Sequence, residues 1–375
     1  MKVLALIESP HHVCYRYRIE PFAWALADRG LELEVASLAC SVPARVAQLL
    51  RARRASVVIL QRKLLPLWQL WLLRRRASRL IYDVDDALFQ RDSYSRKDPE
   101  SWMRLIRFWA TIQAADAVSV GNGFLQERTA SYIESDRVHV MPTCVDPSLY
   151  GLASHRRRGS RARLVWIGQR STLPSLDRAQ AHLAAAATAR PGLSLRIICD
   201  RAPRLSGIRI KPRRWSIATE SAELAEGDIG INWLPDDQWS RGKCGLKVLQ
   251  YMAAGLPVVA NPVGMNREMV AHGRTGFLAS TPAEWARAIG RLADDPALRR
   301  RMGEAGRRRV ERQFSVDRWA PRFAQLVEQV ARGESTRKPK PMVASRTVDE
   351  HFPRKAVRAS RASLETLVGV EGNDQ

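Results

Sequence analysis

The sequence predicts an α/β protein made of two domains, each built around a parallel sheet. Three observations point there. Apolar runs of strand length alternate with longer stretches of helical spacing, the pattern of βαβ units. The chain has 375 residues, too many for one ordinary domain and suited to two. A polar segment punctuated by Pro and Gly, residues 142–160, separates the two sets of strands.

The elements follow in order. Strands are expected at 3–7, 33–37, 57–60, 80–83, 117–120 and 138–141, where β-branched and aliphatic residues cluster, with helices at 19–28 and 102–114 between them. The run RRRGSRAR at 156–163 is read as part of a flexible interdomain linker. A second strand set follows at 164–167, 195–199, 208–211, 229–233 and 257–260, and helices dominate from 284 to 330. The last of them, SVDRWAPRFAQLVEQV at 315–330, carries Pro321 early, where a helix tolerates it, and apolar residues at helical spacing after it. Residues 333–375 turn polar and basic and are expected to be largely disordered, with a short helix near 363–368.

Composition narrows the function classes. Five cysteines (Cys14, Cys40, Cys144, Cys199, Cys244) are scattered and form no C-x-x-C pair, which argues for reduced thiols and against a zinc knuckle or disulfide frame. The opening KVLALIE reads as a strand and lacks the layout of a signal peptide, and no apolar run approaches the ~20 residues that span a bilayer. The expectation is a cytoplasmic protein. The net charge of +23 has three readings: a solvated basic surface, attraction to anionic lipid, or nucleic-acid binding. No zinc finger, RNP-like aromatic motif or helix-turn-helix accompanies the charge, so nucleic acid is not expected as a partner.

The densest chemistry lies at 234–277: LPDDQWSRGKCGLKVLQYMAAGLPVVANPVGMNREMVAHGRTGF. A helix starts at Gly245, and Lys243 and Lys247 straddle that start. Helix starts present unpaired N–H groups and the positive end of the dipole, so two lysines there are out of place unless an anion is bound. A diphosphate fits that need. The strand at 257–260 then enters a Gly/Pro turn, where backbone can approach a ligand closely. In the first half, YDVDDALF at 82–89 brings Asp83, Asp85 and Asp86 to the end of a strand. Carboxylates this close need a metal, a proton or a cation among them, and a metal site, a cleft role and helix capping all stand as readings. The stretch RKLLPLWQLWLLRRRASR at 62–79 reads either as an ordinary packed helix or as one lying in a membrane interface, and WMRLIRFW at 102–109 adds a second basic, aromatic face.

The words GLKVLQYMAAGLPVVANPVG and HGRTGFL, with LVWIGQRST at 164–172, resemble the family 4 / group 1 class of GT-B glycosyltransferases. The resemblance runs over about residues 1–330 and is strongest in the second half. It implies two Rossmann-like domains facing a central cleft, with a C-terminal crossover helix. The implied division is an acceptor-side domain at 1–150, a nucleotide-sugar domain at 151–314, a crossover helix at 315–331 and a basic tail at 332–375. It implies transfer of a sugar from a nucleotide-sugar to a hydroxyl acceptor, such as a growing polysaccharide or a lipid-linked glycan at the inner face of a membrane, with retention of configuration. The nucleotide-sugar is a co-substrate, and no metal or other cofactor is expected.

Residue by residue, the resemblance assigns the diphosphate and nucleotide to Lys243, Lys247, Gly245, Gln250, Arg170 and Gly168. It assigns the donor sugar to Asp236, Asp237, Gly264, Met265 and Asn266. Asp86, with Asp85 beside it, is the candidate base toward the acceptor hydroxyl, and Arg16, Arg18 and Asn122 line the acceptor side. The chain departs from the family where two glutamates usually stand: Gly242 and Gln250 occupy those positions. The loop SPHHVCYRYR at 9–18 likewise lacks the family's usual glycines. Two alternatives therefore remain, a non-catalytic GT-B-like binding or assembly protein and a sugar-nucleotide epimerase.

Overall fold

The computed structural model describes residues 1–334 apart from 202 and 204. The expected tail, with its helix near 363–368, lies outside the described residues. The first half runs β1 (Lys2–Ile7), α1 (Val13–Arg18), α2 (Ala23–Ala27), β2 (Glu32–Ser37), α3 (Val42–Arg51), β3 (Val57–Gln61), α4 (Leu67–Arg76), β4 (Leu80–Val84), α5 (Trp102–Ala114), β5 (Ala117–Val120), α6 (Gly123–Ala130) and β6 (Val138–Val140). The second runs β7 (Arg163–Ile167), α7 (Pro174–Arg178), α8 (Gln180–Ala189), β8 (Ser194–Ile198), β9 (Arg209–Arg213), α9 (Glu220–Ala225), β10 (Ile229–Asn232), α10 (Gln238–Gly242), α11 (Leu246–Ala253), β11 (Val258–Ala260), α12 (Met265–Met269), β12 (Gly276–Leu278), α13 (Pro282–Asp294), α14 (Pro296–Gln313) and α15 (Val316–Arg332).

Each half forms a six-stranded sheet, in the orders β2-β1-β3-β4-β5-β6 and β12-β11-β10-β7-β8-β9. All pairings are parallel, with Val3 opposite both Leu33 and Val57 in the first sheet and Leu164 opposite both Leu195 and Ile229 in the second. β1, β3, β4 and β5 are buried on both faces, so their sequences are continuous apolar runs rather than alternating ones. In each sheet the chain first winds one way and then the other, which opens a crevice at the carboxyl ends of β1 and β3 and again at β7 and β10.

Two cores flank the first sheet. On one face Leu49, Leu70, Leu73 and Phe108 of α3, α4 and α5 pack against Leu4, Val58 and Leu80. On the other, α15 packs Phe323 and Val327 against Val3, Ile7 and Phe22, with the Phe22 and Phe323 rings 5.2 Å apart. The end of the chain's helical run thus covers the sheet with which the chain began.

Three expectations change. The helix expected at 19–28 is a short 3-10 turn at Glu20–Phe22, with Pro21 in its first turn, followed by α2, and a separate helix, α1, precedes it, capped by the His12 ring accepting from Cys14 N at 3.2 Å. The segment expected as a flexible linker is tied down, with His155 Nε2 on Gly255 O at 2.8 Å, Arg157 on Glu226 at 2.9 Å and Arg158 Nε on Asp294 O at 3.0 Å. The strand β12 has no counterpart among the expected strands. All five cysteines are free thiols. Among the described residues no helix is long and apolar enough to cross a membrane.

Candidate active site

The first domain's side of the crevice is built by charge pairing. Arg18 leaves α1 for the interior and reaches Asp83 at the end of β4 through Nε (2.9 Å) and Nη2 (2.6 Å), while Nη1 donates to Met141 O at 2.7 Å. Ser119 of β5 donates to Asp83 Oδ1 at 2.8 Å. The ends of the strands and α1 are thereby fixed together. One residue beyond β3, Arg62 adopts φ +45°, a left-handed conformation that an arginine holds only under constraint. Its guanidinium lies 3.5 Å from Asp85 and 2.7 Å from Asp86. Arg18 and Arg62 therefore supply the positive charge that the three carboxylates require. Among the described residues no group of three or more His, Cys, Asp or Glu side chains could hold a metal. Asp85 and Asp86 cap no helix, since α5 begins only at Trp102.

The second domain contributes the mouth of α11. Gly245 is its N-cap, at φ +69°, and a Cβ there would stand 2.5 Å from Met269 Sδ. Lys243 Nζ sits 5.3 Å from the centre of the Trp239 ring and 3.8 Å from Asp86 Oδ1, reaching across the crevice. Lys247 Nζ lies 5.3 Å from the Trp166 ring centre and, among the described residues, has no ion-pair partner. Burial, helped by the neighbouring charge of Lys243, pulls the Lys247 ammonium down to about 7. A half-buried cation beside a second cation at a helix mouth is electrostatically suited to an anion.

The two halves interlock around this mouth. Asn122 Nδ2 donates to the carbonyls of Arg241, Gly242 and Lys243 at 3.2, 3.1 and 3.1 Å, and its Oδ1 accepts from Leu125 N at 2.9 Å to cap α6. Cys244 Sγ donates to Asp85 O at 3.0 Å. Beside it, Tyr17 OH donates to Glu220 Oε1 at 2.8 Å, and Gln250 Nε2 donates to Glu220 and to Tyr17 OH at 2.8 and 3.1 Å.

Residues 238–309, which contain α11 and its flanking turns, match the family model described as "Glycosyl transferases group 1". That stretch, about a fifth of the chain, is similar to the group 1 glycosyltransferases. Over 69 residues it is 49% identical to D-inositol 3-phosphate glycosyltransferase of Streptomyces avermitilis, covering 18% of this chain and 15% of that protein. It is 28% identical to alpha-maltose-1-phosphate synthase of Mycolicibacterium smegmatis over 257 residues, 58% of this chain and 63% of that protein. The chain thus spans less than two thirds of the length of these curated relatives. Among solved structures it resembles Anabaena Alr3699/HepE in complex with UDP and glucose, with a TM-score of 0.64, 15% identity, and coverage of 88% of this chain and all of that one. The fold is GT-B.

Within this GT-B fold the residues singled out from sequence separate into three groups. Lys243, Gly245, Lys247, Asp85 and Asp86 come together at the crevice. A second group is committed to holding structure. Arg18 is 2% exposed and occupied by Asp83, so it does not meet an acceptor. Asn122 caps α6 and gathers backbone carbonyls rather than facing the acceptor side. Asp237 is the N-cap of α10 and accepts from Ser240 N at 2.8 Å, while Asp236 pairs in solvent with Arg241 Nε at 2.8 Å. Asn266 is fully buried, accepting from Asn232 Nδ2 at 2.7 Å. Met265 is buried in the core around α11. Gly264, at φ +49°, packs its Cα against Arg241 and Ser240. Gly168 packs on Trp166, whose ring would lie 2.5 Å from an added Cβ. A third group stands apart: Arg170 is exposed and, among the described residues, without an ion-pair partner, and Arg16 stacks on the rings of Tyr17 and Trp215, 5.3 and 5.4 Å from their centres.

Gly242 explains one departure from the family. A Cβ there would lie 2.7 Å from both Ala87 N and Ala87 Cβ, so the first domain leaves no room for a glutamate. Gly242→Glu is expected to lower the melting temperature, at a cost of about 1–3 kcal/mol, with no gain in activity. A thermal melt and a transfer assay check both halves. Sequence reading missed Arg62, Tyr17 and Glu220 as site residues. Arg62 had a usable signal, its place directly after a strand in a parallel sheet; Glu220 had none.

Proposed function

We propose that the chain transfers a sugar from a nucleotide-sugar to a hydroxyl acceptor. The observation that carries this is the pair Lys243 and Lys247 at the mouth of α11, the second without a counter-ion and pulled down to about 7. The diphosphate of a nucleotide-sugar supplies the missing charge. As the sugar departs, negative charge builds on the leaving diphosphate, and the two ammonium groups with the first N–H groups of α11 stabilise it. Asn122 holds the 241–243 turn and so fixes Lys243 opposite Asp86. Asp86, whose Oδ1 lies 3.8 Å from Lys243 Nζ across the crevice, is the proposed partner of the acceptor hydroxyl. That hydroxyl must displace Arg62 or Lys243 from one of its oxygens. The likeness to a GT-B structure in complex with UDP and glucose supports a UDP-sugar as the first donor to try. Retention of configuration, and a polysaccharide or lipid-linked acceptor at the inner face of a membrane, complete the proposal.

The test is a thermal-shift panel of nucleotide-sugars followed by product analysis with simple acceptors. A donor that raises the melting point in the parent but not in Lys247→Ala supports the reading, and silence across the panel sinks it. Asp86→Asn is expected to lower kcat by about 10²-fold or more while donor binding changes little. A raised donor KM at unchanged kcat would instead make Asp86 a positioning residue for Lys243. One observation favours the non-catalytic reading: Gln250 is buried and spends its amide on Glu220 and Tyr17, leaving no carboxylate at that position. Binding of a donor without turnover in any acceptor screen would select it.

A further inference from the structure

We propose that the outer face of the α3–α4–α5 layer docks on an anionic lipid bilayer. Residues 37–79 contain ten Lys or Arg residues and no Asp or Glu. Arg62 and Lys63 serve the crevice, where they pair with Asp86 and Glu8. The arginines of α3, of the turn after it and of the end of α4 point elsewhere. Arg51, Arg53, Arg54 and Arg76 line, with Leu50, a crevice of about 270 Å³. An ordinary surface mixes both signs of charge; residues 37–79 carry a single sign, and the acidic groups nearby are Asp116, which pairs with Arg74 at 3.4 Å, and the exposed Asp98 and Glu100 ahead of α5.

The same layer exposes apolar groups that its packing does not use. The inner sides of the three helices fill the core through Leu49, Leu70, Leu73 and Phe108. On α4, Trp68 and Trp71 stand one turn apart on the opposite side, 42% and 41% exposed, and Arg75 stacks over the Trp71 ring at 4.3 Å. Trp102 and Met103 at the start of α5 are 50% and 38% exposed. Tryptophan beside arginine is the pairing that sits at headgroup level, the ring in the interface and the guanidinium on phosphate. A nucleic-acid surface would use the arginines and could stack bases on the rings, but it has no use for solvent-facing Leu50 and Met103.

Topology adds an orientation. Helices that join adjacent parallel strands run back against them, so α4 and α5 begin at the carboxyl edge of the sheet, beside the crevice. Trp68 and Trp102 therefore lie toward the crevice, and Arg51 and Arg76 lie at the far end. A bilayer along this layer brings the mouth of the site to headgroup level. Entry of a lipid-linked acceptor there rests on the proposed function; the docking itself does not.

The experiment is flotation of the full chain with phosphatidylcholine vesicles, with and without phosphatidylglycerol, at low and raised salt, in the absence of substrates. Binding is expected only with phosphatidylglycerol and is expected to weaken with salt. Arg53→Glu combined with Arg54→Glu should reduce it about tenfold or more. Trp68→Ser combined with Trp71→Ser should reduce it as well, whereas Ile217→Ser, an exposed apolar residue of the other domain, should not. Melting temperatures equal to the parent's show that the variants fold, and donor-induced shifts equal to the parent's separate this test from the donor site. Equal binding by parent and variants overturns the proposal. So does a single-stranded oligonucleotide that binds more tightly than the vesicles and is lost in the same variants.

Discussion

Lys247→Met is expected to melt at a higher temperature than the parent and to lose its response to nucleotide-sugars. The two outcomes have one cause. In the ligand-free protein Lys247 is a cation held where burial and Lys243 both oppose its charge, so it sits at about 7 instead of the ordinary lysine value of 10.5. The unfolded chain binds that proton more tightly than the folded one between these two values. Stability contributed at this site therefore rises as pH goes from about 7 toward 10, and it is lowest at and below neutrality, where the folded protein must carry the charge. Methionine fills similar space without charge, so the variant is free of the cost of holding an unpaired ammonium in a partly buried place. The gain should appear near neutral pH and shrink in alkaline solution. Function moves the other way. A bound diphosphate favours the ammonium, and its loss removes a charge-assisted contact to the leaving group, for which about 10²–10³-fold in kcat/KM is expected. Melts of parent and variant at about pH 6.5 and about pH 9, with and without UDP, check the whole chain of reasoning. A variant that melts lower than the parent at neutral pH would mean that Lys247 is already neutralised in the free protein.

The fold was legible because parallel strands buried on both faces announce themselves as short apolar runs. Those of β1, β3, β4, β5 and β7 stand within a residue or so of where the pattern puts them. β12 was not legible: it is three residues long, and Gly276 at its start has its Cα so close to Val258 that a Cβ would lie 2.0 Å from the Val258 carbonyl oxygen. Such a strand is defined by contact with its neighbour, not by its own composition. The site was half legible. Lys243 and Lys247 could be singled out together at the mouth of α11 because cations at a helix start contradict local electrostatics. Arg16 and Arg18 could not be told apart, since two residues of spacing on a six-residue helix place them on different sides without saying which is inside. Only the position of Asp83 decides it. Asn122 shows the same limit: its cap on α6 is local and readable, while its three bonds to the 241–243 turn cross the chain by over a hundred residues.

Arg18→Met should be the most damaging single change to stability. It removes one partner of a fully buried pair and leaves the Asp83 carboxylate with the Ser119 hydroxyl at 2.8 Å and the Gln61 amide at 3.5 Å. Breaking a pair in this way costs about 3–5 kcal/mol, because an uncompensated charge stays inside. Removing both charges is different. Arg18→Met combined with Asp83→Leu deletes the stranded carboxylate, and the double variant should recover most of the loss, so the cycle should report strong coupling. Full recovery is not expected, since Met141 O and the Ser119 hydroxyl lose their partners and a buried polar group left unpaired has its own cost. Urea unfolding of the parent, both single variants and the double variant gives the cycle, read on the transition that the substitutions move, because a two-domain chain can unfold in more than one step. The variants also separate architecture from chemistry. Arg18 anchors α1, and α1 carries Tyr17 to Glu220 and Gln250 across the crevice. If that anchoring is its role, the double variant keeps near-parent donor affinity once folded. A refolded, stable double variant with no donor response would show instead that the Arg18–Asp83 pair acts on the ligand itself.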